Sequence, residues 1–138
     1  MTRIKKVSRE KYRGFREKAE QYYEGMKDEF DKNRPNNAVT MAVHCAIAFV
    51  DSFTVYKLGR KSSAQNHAEA VNLLKEAKTS NEKKKSQICR DLYQLIEMKT
   101  PAEYEDGLLS KNDAIRATYL CEKIKNFFKE EFEKIEIN

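Results

Sequence analysis

Residues 36–58, NNAVTMAVHCAIAFVDSFTVYKL, decide the fold. A helix on the surface of a globular protein carries one apolar stripe, but from Ala38 to Val50 nearly every position is apolar. The segment therefore reads as a central helix packed by several neighbours. Its ends are marked. Asn33-Arg34-Pro35 interrupts the chain before it, because a residue preceding proline is pushed out of the helical region, and Gly59 is the natural stop after it. The apolar run spans 13 residues, contains Thr40 and His44 and stops at Asp51, which is too short for a bilayer core of about 30 Å.

A buried helix needs amphipathic partners, and the flanking sequence supplies them. Tyr12, Phe15, Ala19, Tyr22 or Tyr23, Met26 and Phe30 recur in steps of three and four, which predicts a first helix from Ser8 as its cap to about Lys32. Residues 60–66 read as a polar loop. Asn66 is placed to cap a short third helix carrying Ala70, Val71, Leu74 and Ala77. Thr79-Ser80-Asn81 offers another cap, before a fourth helix with Ile88, Leu92, Leu95 and Ile96 on one side. Thr100-Pro101 closes it, residues 101–109 read as an irregular connection, and Ser110 caps a last helix along Ala114, Ala117, Cys121, Ile124, Phe128, Phe132 and Ile135. No stretch shows the two-residue alternation of a strand, and 4 Gly and 2 Pro are too few for a many-stranded sandwich or barrel. The expectation is a single all-α domain, an up-and-down bundle of about five helices over residues 1–138 with its core at about 10–135.

Charge adds a second kind of information. The formal net charge of +5 divides into +6 over residues 1–18, −2 over 19–59, +5 over 60–90 and −4 over 91–138. Two basic segments on a mildly acidic protein suit a polyanion, although solvated lysine faces look the same in sequence. Cys45, Cys89 and Cys121 form no CxxC pair and fall in apolar helical contexts, which suits a reducing cytoplasm. The basic N-terminal residues are followed by no apolar segment, so no signal peptide is expected.

Few residues offer chemistry. His44 and Asp51 are seven positions apart on the apolar helix, about 20° short of two full turns, so they share a face and serve either as a fold-stabilising polar contact or as part of a cleft. His67 follows Arg60 in a basic, polar stretch. An Arg that holds phosphate and a His that moves a proton are the minimum for cleaving RNA through its own 2′-hydroxyl, while a packed first-turn histidine is the plainer alternative. Neither histidine has metal-ligand spacing around it, no metal or cofactor is expected, and the GxGxxG, GxxxxGK[ST], GxSxG and HExxH patterns are absent.

Asn36-Asn37-Ala38-Val39, then Ala42-Val43-His44-Cys45-Ala46-Ile47-Ala48 and Asp51-Ser52, resemble the second helix of HEPN domains (higher eukaryotes and prokaryotes nucleotide-binding). Asn66-His67-Ala68-Glu69-Ala70 resembles that family's DH-x-EA segment, Leu95 to Tyr104 its adY segment, and Ala114 to Phe128 its closing Ala-rich helix. The resemblance implies an all-α bundle, commonly a homodimer, that binds nucleotide or RNA. It further implies a place beside a separate minimal nucleotidyltransferase, sometimes as a toxin–antitoxin pair. Some members are metal-independent ribonucleases with an Arg followed, after four to six residues, by a His. Arg60 and His67 meet that rule at six intervening residues. The expected ligand site is therefore His44, Asp51, Arg60, Lys61, His67 and Tyr104. Arg60 and Lys61 would contact phosphate, His67 would donate to it, and Asp51 would accept from a base, a ribose or a partner subunit. In the ribonuclease alternative His67 moves the proton and Arg60 stabilises the charged transition state. A purely structural dimeric partner protein is the third reading.

Overall fold

The computed structural model describes residues 4–63 and 67–137. Along the chain run β1 (Ile4–Lys6), a 3₁₀ turn (Arg9–Lys11), α1 (Tyr12–Asp31), α2 (Pro35–Leu58), β2 (Arg60–Ser62), α3 (Ala68–Glu76), α4 (Glu82–Glu97), α5 (Lys99–Glu103) and α6 (Lys111–Ile137). The fold is the expected all-α bundle around α2. Helices α1 and α6 pack along α2, α3 and α4 form a second layer, and α5 crosses near the start of α2. Every residue from Cys45 to Val55 is buried. By length and composition α2 is long and apolar enough to cross a membrane, so the short apolar run does not settle that question. Yet 83% of its most apolar window is buried among the other helices.

The helix ends follow local chemistry. Asn33, at φ 59°, takes the left-handed conformation after α1, with Asn33 N bonded to Phe30 O and Arg34 N to Glu29 O, both at 3.0 Å. These are the paired bonds of a Schellman motif. Pro35 opens α2 at a position whose N–H would lack a helical acceptor anyway, and Gly59 closes it at φ 67°. Asn81 Oδ1 accepts from Lys84 N at 2.9 Å to cap α4. At α6, Ser110 Oγ accepts from Asp113 N at 3.1 Å while the Asp113 carboxylate accepts from Ser110 N at 2.9 Å, a reciprocal capping box.

Three expectations are corrected. Ser8 makes no capping bond and precedes the 3₁₀ turn instead of α1 itself. Residues 60–62 are not loop: they form β2, antiparallel to β1, pairing Ile4 with Ser62, Lys5 with Lys61 and Lys6 with Arg60. Strands of three residues are too short to display alternation, so nothing in the pattern announced them. Finally, Thr100 and Pro101 lie inside α5. Proline is tolerated there because it occupies the first turn, where its missing N–H costs nothing. Asn36 pins this segment, donating through Nδ2 to Ala102 O and accepting from Leu109 N at 3.3 Å. The expected Asn66 cap lies outside the described residues.

Candidate phosphate-binding cleft

His44 leaves α2 on the side covered by α5. Its Nε2 lies 2.8 Å from Glu103 Oε1, and its ring stacks on Tyr22 of α1 at 5.4 Å between centroids. The other Glu103 oxygen is 3.1 Å from Lys99 Nζ, an i, i+4 pair along α5. Lys99 also donates to the Tyr104 hydroxyl at 3.3 Å and sits 5.0 Å over that ring. Burial works to raise the Glu103 carboxyl, but the bonds from Lys99 and His44 outweigh it and hold the group below its usual value. An anionic Glu103 accepts at Oε1, so His44 Nε2 carries the proton and Nδ1 is left for other work.

His67, just before α3, is half-buried, and its Nδ1 is fully buried with no hydrogen-bond partner. Burial depresses its pKa, and the charges of Lys99, His44 and Lys61 depress it further, against a smaller opposing pull from Glu103. The four elements α2, β2, α3 and α5 thus bring His44, Lys61, His67, Lys99 and Glu103 within electrostatic reach of one another.

Asp51 lies deeper on α2. It is buried, with Oδ1 unpartnered and Oδ2 3.7 Å from Lys61 Nζ, and the buried hydroxyl of Ser62 also lacks a partner at hydrogen-bond distance. Burial pushes the Asp51 carboxyl up to about 7, with the charge of Lys61 the main opposing pull. Arg60 turns elsewhere: Nη2 bonds Glu76 Oε1 of α3 at 2.8 Å on the exposed surface. Tyr104 is 71% exposed, at the rim.

Of the residues selected by sequence, His44, Lys61 and His67 therefore belong to one electrostatic cluster. Asp51 is tied to it through Lys61, Tyr104 borders it through Lys99, and Arg60 is engaged by Glu76. Sequence reasoning missed Lys99 and Glu103, although their i, i+4 spacing beside Tyr104 was readable. A groove of about 650 Å³ between α3 and α4, beside Val71, Cys89 and Tyr93, contains none of these residues. Among the described residues no three His, Cys, Asp or Glu side chains are grouped to hold a metal.

No curated protein and no solved structure matches the chain significantly. The family model of the HEPN domain matches residues 12–132, from the start of α1 into the last turns of α6. The chain belongs to the HEPN domain family.

Proposed function

We propose that the chain is an accessory module whose cleft at His44, Lys61, His67 and Lys99 binds the phosphate of a nucleotide or RNA, as a homodimer beside a minimal nucleotidyltransferase. The observation that carries the reading is His67, neutral and with a buried, unpartnered Nδ1, held among the cations Lys99 and Lys61. An anion there relieves the repulsion and gives the cleft a charge-assisted partner. In this arrangement Lys99 takes the leading phosphate-binding role that the sequence suggested for Arg60, with Glu103 orienting both Lys99 and His44. Exposed Ile115 and Tyr119, beside a groove of about 400 Å³ with Met26 and Phe30, support self-association through α1 and α6.

The same histidine favours a second reading. A neutral imidazole with a lone pair can accept the 2′-hydroxyl proton of RNA, with Lys99 beside the charged phosphorane and His44, held by Glu103, as a second proton carrier. Calorimetric titration with AMP and with a short RNA, and RNA cleavage in EDTA, separate the cases. Binding that weakens about tenfold or more in both His67→Ala and Lys99→Ala supports the cleft. Cleavage lost in His67→Ala establishes the enzyme. Neither binding nor cleavage leaves a structural partner protein.

A further inference from the structure

The two strands of the ribbon carry like charges face to face. Lys5 stands directly opposite Lys61, and Lys6 opposite Arg60. Like charges at directly opposed positions oppose pairing, so a ribbon only three residues long is built against its own electrostatics. The β2 members have some relief, Lys61 from Asp51 and Arg60 from Glu76. Lys5 and Lys6 are exposed and have no carboxylate partner among the described residues.

More cations lie alongside. Phe15 of α1 has Lys61 Nζ 5.6 Å and Lys18 Nζ 5.7 Å from its ring centroid. Lys11 lines the same shallow hollow with Phe15, and a groove of about 540 Å³ runs along Lys6, Gly59 and Arg60. Lys61 is shared: it belongs to the ribbon and is also one of the charges acting on His67. Cations therefore flank β1, the Phe15 ring and β2, and the largely buried Lys61 links them to His67.

We propose that this ribbon is a track for the backbone of single-stranded RNA, so that the full ligand is a polynucleotide several phosphates long, of which a mononucleotide such as AMP fills only the cleft. The proposal rests on the cleft reading and narrows it. Regularly spaced phosphates supply the anions that the like-charged strands lack, and the half-buried Phe15 ring, flanked by cations, presents an edge on which a base can rest whatever the sequence.

The test is the double variant Lys5→Glu with Lys6→Glu, measured against a fluorescein-labelled twelve-nucleotide oligouridylate by anisotropy and against AMP by calorimetry. The substitution turns two repulsive cross-strand pairs into attractive ones, so the thermal midpoint should hold or rise. Affinity for the oligonucleotide should fall about tenfold or more, with the salt slope reduced by about two phosphate contacts, and AMP binding should be unchanged. Lys111→Glu with Lys129→Glu, two exposed charge reversals on α6 that change net charge by the same amount, controls for net charge and should have a smaller effect. Oligonucleotide binding equal to that of the parent, a loss no larger than the control's, or no oligonucleotide binding by the parent overturns the track. If AMP binds and responds to His67→Ala while the oligonucleotide ignores Lys5 and Lys6, the cleft stands without the track. Failure of His67→Ala to weaken either ligand, with the ribbon variant still impaired, removes the cleft and keeps the track.

Discussion

Asp51 spends stability at neutral pH. Its carboxyl is buried and pushed up to about 7, whereas the unfolded chain releases the same proton near pH 4. Between those values the folded state holds the extra proton, so this group makes stability fall as pH rises and adds no further change above about 7. Asp51→Asn keeps the shape and removes the titration. The difference in stability between variant and parent, from denaturant melts at several pH values, should be small near pH 4 and grow to a plateau above 7, at about 4 kcal/mol as an upper bound. A difference that does not change with pH would assign the cost to something other than ionisation. The sequence exposed Asp51 as an anomaly because a carboxylate interrupted an apolar helix. It could not show the partner: Lys61 reaches it only because β1 and β2 fix the chain after Gly59. Glu103 and Lys99 stayed hidden for the opposite reason, since charged residues in a stretch that reads as surface connection draw no attention.

At the scale of elements, the long helices were legible because their apolar periodicity is repeated over many turns, and the caps at Asn81, Ser110 and Gly59 were legible because each uses a residue type suited to its backbone. The ribbon and α5 were not, being three and five residues long. Helices α3 and α4 illustrate a joint that sequence cannot reveal. Lys85 is buried, and its ammonium donates to the carbonyls of Lys75 and Ala77 and to Glu82, each at 2.9 Å. It closes the C-terminal end of α3 and braces the first turn of α4, where Glu82 is held down to about 2 by Lys85 and Thr79. Lys85→Met retains most of the stem and strips the donor. It should cost about 2–3 kcal/mol in a thermal or denaturant melt, mostly from unsatisfied carbonyls, and leave nucleotide binding unchanged. A near-neutral result would mean that water replaces the ammonium.

At the scale of the whole molecule, the proposed homodimer makes a prediction about one face of α6. Ile115 and Tyr119 are 48% and 61% exposed on α6, apolar side chains that the monomer leaves in water. The proposed homodimer uses this face. Sedimentation velocity should find a dimer for the parent and a folded monomer for Ile115→Asp combined with Tyr119→Asp, because neither side chain contributes to the core. A parent protein that sediments as a monomer at high concentration would refute the dimer.

The ribbon also bears on how the chain reaches its folded state. It joins residues 4–6 to residues 60–62 and so brackets α1 and α2, which pack on each other as a hairpin with a short connection. Pairing the ribbon first would close a loop of some fifty residues for very few hydrogen bonds, whereas after the hairpin has formed the ends are already near one another. The clasp therefore belongs to the late side of the folding barrier. Loosening it should leave the refolding rate almost untouched and speed unfolding, so the strands that gather positive charge also set how long the native hairpin stays shut.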